Sequence, residues 1–316
     1  MAVSSRTVRR VWSSSPGQPD GLAAMTTDPD SIGAFFDTIK RDIVAWAAGV
    51  DDVRAVLVTG SQARQRNPAD AYSDLDLELF VRDDFADHAA WIEQVKGYAP
   101  VWAVVEEQQD EQRGWLILYE GGLKLDFSTA PVSVLRQLVE EQRLWNSHLR
   151  GYDILLDKDG LAARLPAPRP FDVPPFEPPD ANAFSQAVDT YFYGAVYVAK
   201  QIARHNLWKV KWADQNQQNC LLTMLVWHAQ ATAAEPIDTW SRGDFMRSWV
   251  RDDIWGALHS VFAHFDAPSS WRALFSSIAL YTRLARETAA QWAFDFPETR
   301  LSAITDYVEQ LYAGED

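Results

Sequence analysis

Seven prolines fall between Leu165 and Pro179: Pro166, Pro168, Pro170, Pro174, Pro175, Pro178 and Pro179. Proline fixes φ and removes a backbone donor, so this density excludes regular helix or sheet and predicts an extended, semi-rigid connector. Residues 165–180 are therefore expected to link two domains, which a chain of 316 residues is long enough to form. The patterning changes across this segment. Beyond it the apolar residues recur at helical spacing, over roughly 181–205, 213–232, 244–265, 270–292 and 298–313. The expected organisation is a flexible tail over 1–29, a mixed domain over 30–164, the linker, and an all-helical domain over 181–316.

The mixed domain opens with a helical pattern from Ser31 to Gly49, carried by Ile32, Phe35, Phe36, Ile39, Ile43, Val44 and Trp46. Val53 to Thr59 reads as a buried strand entering a tight turn at Gly60-Ser61, followed by a polar loop from Gln62 to Ser73. Asp74 to Val81 alternates: Leu75, Leu77, Leu79 and Val81 face one way, and Asp74, Asp76, Glu78 and Phe80 the other. Further strands are expected at 101–106 and 115–120, then a two-residue hairpin turn at Gly121-Gly122. The strand Leu123 to Ser128 would place Lys124, Asp126 and Ser128 on one face. A helix over 132–145 and a short strand over 152–156, closed by a turn at Asp157 to Gly160, complete the pattern. The fold class is α+β: a small mixed sheet with flanking helices, followed by an all-helical C-terminal domain.

Three carboxylates carry the chemistry. Asp74 and Asp76 are two apart on a strand and emerge from the same face, and Asp126 can lie on the same sheet facing the same way. Three acids on one face repel unless something positive lies between them. Magnesium is a hard cation that takes carboxylate oxygens, and two such ions about 3.5–4 Å apart stabilise the attacking and leaving oxygens of a phosphoryl displacement. A solvated strand face would explain the Asp74 and Asp76 pair taken alone. Upstream, however, Gly60 lets the backbone approach a phosphate closely, and Ser61 supplies donors to it.

The stretch Val56-Leu57-Val58-Thr59-Gly60-Ser61, followed by Ser73-Asp74-Leu75-Asp76-Leu77, resembles the signature of the DNA polymerase beta-like nucleotidyltransferase superfamily. Within it the chain is similar to the aminoglycoside 6-adenylyltransferase family, the streptomycin-inactivating enzymes. Leu116 to Ser128 resembles that family's hairpin with the third carboxylate, and Leu155 to Gly160 its first-domain closure. Tyr191 to Lys200 and Lys211-Trp212 resemble the start of its helical domain. The likeness runs from about residue 30 onward, more firmly in the first half, while the loop Gln62 to Ala71 departs from it.

The resemblance implies transfer of AMP from Mg-ATP to a hydroxyl of a small acceptor, an aminoglycoside such as streptomycin, with release of pyrophosphate. It makes Asp74, Asp76 and Asp126 metal ligands and catalytic residues, Asp126 also a general base, and Gly60 and Ser61 the triphosphate cradle. One of Lys209 and Lys211, just before a long helix, is expected to reach across an interdomain cleft and neutralise the triphosphate, Lys211 matching the family better, with two surface lysines as the alternative. Glu78 shares the face of Asp74 and Asp76 one step further along, and is expected to be an edge residue or an acceptor contact, with a catalytic part as the alternative. The alternatives are another acceptor, such as a protein hydroxyl, or an inactive nucleotide-binding relative.

The formal net charge of −15 disfavours a stable grip on nucleic acid, which needs basic residues to displace counterions. It suits a polycationic small substrate equally as well as simple solubility. Cys220 is the only cysteine, so no internal disulfide exists. No stretch reads as membrane-spanning, and Met1 to Asp30 lacks the apolar segment of a secretory signal, so a cytoplasmic monomer is expected, with Met1 or Met25 as its start. The 14 tryptophans fit a well-filled aromatic core, with an aromatic binding site as the alternative.

Overall fold

A computed structural model describes residues 29–64, 66–85, 88–109, 112–167 and 176–314. Residues 1–28 of the expected tail, and Pro168, Pro170, Pro174 and Pro175 of the expected linker, lie outside them, while Pro29 already belongs to the first helix. The chain divides into two units, Met1–Asp172 and Val173–Asp316.

The first unit is built on a six-stranded mixed sheet in the order β3-β4-β5-β2-β1-β6. Its strands are β1 (Val53–Thr59), β2 (Leu75–Val81), β3 (Val101–Gln109), β4 (Gln112–Tyr119), β5 (Lys124–Pro131) and β6 (Asp153–Asp157). β2 and β5 pair in parallel, and every other neighbouring pair is antiparallel. The helices are α1 (Pro29–Gly49), α2 (His88–Lys96) and α3 (Val132–Glu140). The alternation of β2 sorts its side chains into two separate cores. Leu75, Leu77, Leu79 and Val81 pack with Phe36, Ile39 and Ile43 of α1, and Phe80 joins Ala55, Leu57, Leu135 and Leu138 on the α3 side. Fully burying such a side chain contributes about 1.5–3 kcal/mol relative to leaving it exposed. α3 covers only one end of its face. The other end of that face carries Asp76 and Glu78.

Several local expectations are corrected. Asp74 precedes β2 rather than lying in it, and the β4–β5 connection is a three-residue turn, Glu120–Gly122, closed by Tyr119 N–H donating to the Leu123 carbonyl at 2.8 Å. α3 ends at Glu140, short of the expected 145, and α2 had no clear signal in the sequence. The turn after β6 is held by Asp157, whose carboxylate accepts from the N–H groups of Leu161 and Ala163 at 3.0 and 2.9 Å.

The second unit contains α4 (Ala181–Ile202), α5 (Leu207–Thr232), α6 (Asp252–Leu258), α7 (Ala267–Trp292) and α8 (Glu298–Ala313). α5 starts six residues before the expected 213, so Lys209 and Lys211 sit in its first turns rather than ahead of it. The expected helix over 244–265 is instead a 3-10 turn at Met246–Ser248 followed by α6. Phe245 has φ of 50°, a left-handed geometry that interrupts helical propagation. α7 begins earlier than 270 because Asp266 caps it, accepting from Ser269 N–H at 2.6 Å, with a proline in the first positions. The tryptophans divide: Trp115, Trp249 and Trp271 are buried, whereas Trp102, Trp208 and Trp212 are exposed. Among the described residues no helix is long and apolar enough to cross a membrane.

Candidate active site

The parallel register of β2 and β5 sets Asp76 directly beside Asp126, and Glu78 beside Ser128. On the other side of β2, Thr59 of β1 pairs with Asp76. These residues share the face that α3 leaves uncovered. They line a cavity of about 210 Å³ together with Glu107 of β3, Gln112 and Gly114 of β4, and Ser147 from the loop after α3. Gly114 pairs with Ser128, and its missing side chain leaves open space on this face between Glu107 and Ser128.

Gly60 follows Thr59 with φ of 65°, inside a 3-10 turn over Gly60–Gln62. A Cβ built at Gly60 would run into the Asp76 carboxylate, so the turn and the acid are packed against each other. The carbonyl of Gly60 accepts from the N–H groups of Ala63 and Arg64, and Ser61 Oγ donates to the Asp74 carbonyl at 3.4 Å. Gly60 and Ser61 thus belong to the same end of the sheet as Asp74 and Asp76. Gly60→Ala is expected to cost about 1–3 kcal/mol of stability from the left-handed backbone alone, and to displace Asp76. Chemical denaturation together with magnesium titration would check both effects.

The electrostatics of the cluster are unbalanced. Burial, then the charges of Asp126 and Asp74, push the Asp76 carboxyl up to about 7, with Lys124 opposing and Glu78 adding to the rise. Asp126 is raised first by burial, then by Asp74 and Glu107, against the pull of Lys124. Lys124 is ion-paired with Asp74 and lies 3.9 Å from Asp126. Its ammonium is penalised by burial but held above its ordinary value by its bond to Asp74 and the charges of Asp126, Asp74 and Asp76. One cation therefore serves three acids, and the buried Oδ1 of Asp126 has no hydrogen-bond partner.

Among the described residues, no three acids, histidines or cysteines already converge as a finished ligand set. Lys124 is ion-paired with Asp74 and stands beside Asp126, where positive charge is wanted. The donor chemistry fits magnesium: hard carboxylate oxygens, one of them buried and unpaired, in a site short of positive charge.

A family model described as streptomycin adenylyltransferase matches residues 37–311. The chain belongs to the streptomycin adenylyltransferase family. It is thus a nucleotidyltransferase, and the match does not favour an inactive relative or a different acceptor class. This adenylyltransferase is 24% identical over 301 residues to an aminoglycoside 6-adenylyltransferase of Bacillus subtilis (strain 168), covering 92% of this chain and 99% of that one. It is 23% identical over 286 residues to one of Campylobacter jejuni, covering 87% and 96%. The crystal structure of an aminoglycoside 6-adenyltransferase from Bacillus subtilis aligns at a TM-score of 0.40 and 17% identity, covering 88% of this chain and 98% of that one.

The structure brings Asp74, Asp76, Asp126, Gly60 and Ser61 of the adenylyltransferase into one region. Lys209 and Lys211 belong to the helical unit. Lys209 is exposed, whereas the Lys211 ammonium donates to Asp214 at 3.0 Å, Ser270 Oγ at 3.1 Å and the Ala263 carbonyl at 3.4 Å. These bonds tie the start of α5 to the start of α7. Sequence reasoning missed Thr59, Glu107, Ser147 and His148. Thr59 was readable from its position beside Gly60. Ser147 and His148 come from an irregular segment, and no local pattern marks them.

Proposed function

We propose that the chain transfers AMP from Mg-ATP to a hydroxyl of an aminoglycoside, streptomycin being the first candidate. The observation that carries the site assignment is the pairing of Asp76 with Asp126 on parallel strands, with a buried, unpartnered carboxylate oxygen on Asp126. The family match and the names of the two curated relatives support the acceptor class. Asp74, Asp76 and Asp126 would hold magnesium, which when bound supplies charge neutralisation for the triphosphate and the transition state.

The chain's own groups perform the rest. The N–H groups and hydroxyl at Gly60 and Ser61 orient phosphate oxygens at the end of β1. Asp126 accepts the proton of the acceptor hydroxyl as its oxygen bonds to the α-phosphorus. The bond between the α-phosphorus and the bridging oxygen breaks, and pyrophosphate leaves. Lys124 holds Asp74 and Asp126 in place and offsets part of their repulsion. One of the lysines at 209 and 211 would add positive charge for the triphosphate.

Mass spectrometry of streptomycin incubated with the protein, ATP and magnesium tests the reaction type. The expected product is streptomycin bearing one AMP, with pyrophosphate as the by-product. A phosphorylated streptomycin accompanied by ADP would contradict nucleotidyl transfer.

A further inference from the structure

A cavity lies wholly within the helical unit, lined by residues to which the transfer chemistry assigns no part. We propose that it binds a small aromatic carboxylate, with the ring in the cavity and the carboxylate on Arg242. This goes beyond the adenylyltransferase reading and does not depend on it.

The cavity measures about 600 Å³, a size typical of small-molecule sites. Its walls come from α5, from the segment 242–246, and from α6 with the loop that follows. Leu222, Leu225 and Met246 give an apolar lining, to which Trp255 and Phe262 add aromatic rings. Such a surface takes a flat ring by dispersion and stacking. Gln215, Gln218 and Asn219 stand on one face of α5, three and four positions apart, and line the same space. Each carboxamide can both donate to and accept from a ring substituent.

The charge of the lining selects the sign of the ligand. A chain of net charge −15 lines this cavity with no aspartate or glutamate among the described residues. Its one permanent charge is the guanidinium of Arg242, which makes no ion pair with a described residue. The nearby Arg247 differs, being paired with Asp252 at 2.6 Å and lying over the Trp255 ring at 5.7 Å. An unpaired planar guanidinium beside apolar walls matches a carboxylate, which it can hold through two parallel hydrogen bonds. A polycationic aminoglycoside meets no counter-charge here, so the cavity is not a second acceptor site.

The backbone that presents Arg242 is fixed. Trp240, Arg242, Gly243 and Phe245 have φ of 53°, 54°, 84° and 50°, all left-handed. Side chains other than glycine rarely adopt this geometry, which persists where the surroundings enforce it and recurs at ligand clamps. The enforcing contacts are local. Asp244 N–H donates to the Ser241 carbonyl at 3.0 Å, and Nε1 of the buried Trp249 donates to the Asp244 carbonyl at 2.9 Å. A Cβ built at Gly243 would meet Met246 Cε at 3.2 Å and Leu222 Cδ1 at 3.6 Å, so the turn is seated against α5.

Isothermal titration calorimetry on the full chain, with indole acetate and its cationic counterpart tryptamine, tests the inference in the absence of ATP and magnesium. Indole acetate should bind at one site with a Kd below about 1 mM, and tryptamine at least about tenfold more weakly. Arg242→Gln, at an exposed position, should weaken indole acetate at least about tenfold without lowering the melting temperature. Leu222→Trp, which fills the cavity from α5, should abolish binding in a protein that still melts cooperatively. No saturable binding by wild type, tryptamine binding as tightly, or wild-type affinity in Arg242→Gln would overturn the inference. Displacement of indole acetate by streptomycin would overturn it as well, by assigning the cavity to the acceptor.

Discussion

Replacing Asp76 by Asn is expected to lower AMP transfer by at least about a thousandfold while making the magnesium-free protein more stable. Both effects come from one cause. Asp76 is half-buried beside Asp126 and Asp74, so its ionised form is disfavoured in the fold and its carboxyl is pushed up to about 7. In the unfolded chain an aspartate titrates near 3.9, about three units lower. Between those values the folded state holds more protons than the unfolded one, so stability falls as pH rises through the window, by on the order of a few kcal/mol in all. Below the window the penalty is absent; above it the penalty is complete. Asn removes the charge, and the slope of stability against pH should flatten accordingly. Magnesium should reverse the same penalty in wild type, because an ion binds the ionised carboxylates and displaces their protons. Proton release on adding magnesium at pH 7 should therefore be measurable in wild type and much smaller in Asp76→Asn. Identical proton release from the two proteins would argue against Asp76 as a ligand.

Asp126→Asn should produce the second large loss, about a hundred- to ten-thousandfold in kcat, with little change in folding. The variant keeps a polar group beside Asp76 but can neither take a proton nor lend a full charge to an ion. Its distinguishing signature lies in the pH profile. Burial raises the Asp126 carboxyl from its ordinary value in the magnesium-free protein, and a bound ion opposes that rise, so the acid limb of wild-type activity should move to lower pH as magnesium is raised. The residual rate of Asp126→Asn should lack that acid limb. A retained limb would assign it to another group in the cavity.

The parts of this architecture that were legible in the sequence obey short-period rules. β1, β2 and β5 announced themselves by valine runs and by alternation, and alternation also set Asp76 and Asp126 on usable faces. Asp74 came through less cleanly: it precedes β2, and its place in the cluster depends on Lys124, fifty positions away in the chain. The start of α5 was obscured because Lys209, Lys211 and Asp214 interrupt its apolar face, and bonds from Lys211 to residues of the loop before α7 and its first turn hold that end. The broken geometry around Phe245 depends on left-handed backbone that no periodicity encodes. The hydrogen bonds of Ser147 and His148 to Glu78 were hidden for a related reason. They join a strand to a loop about seventy residues later, and only the completed sheet brings the two together.

The most direct measurement is pyrophosphate release from ATP and magnesium across a panel of aminoglycosides including streptomycin, on wild type and Asp76→Asn in parallel. Release that requires streptomycin, scales with magnesium and disappears in Asp76→Asn is the predicted result. Magnesium-dependent ATP binding with no release for any aminoglycoside would contradict the acceptor assignment, and undiminished release from Asp76→Asn would contradict the site.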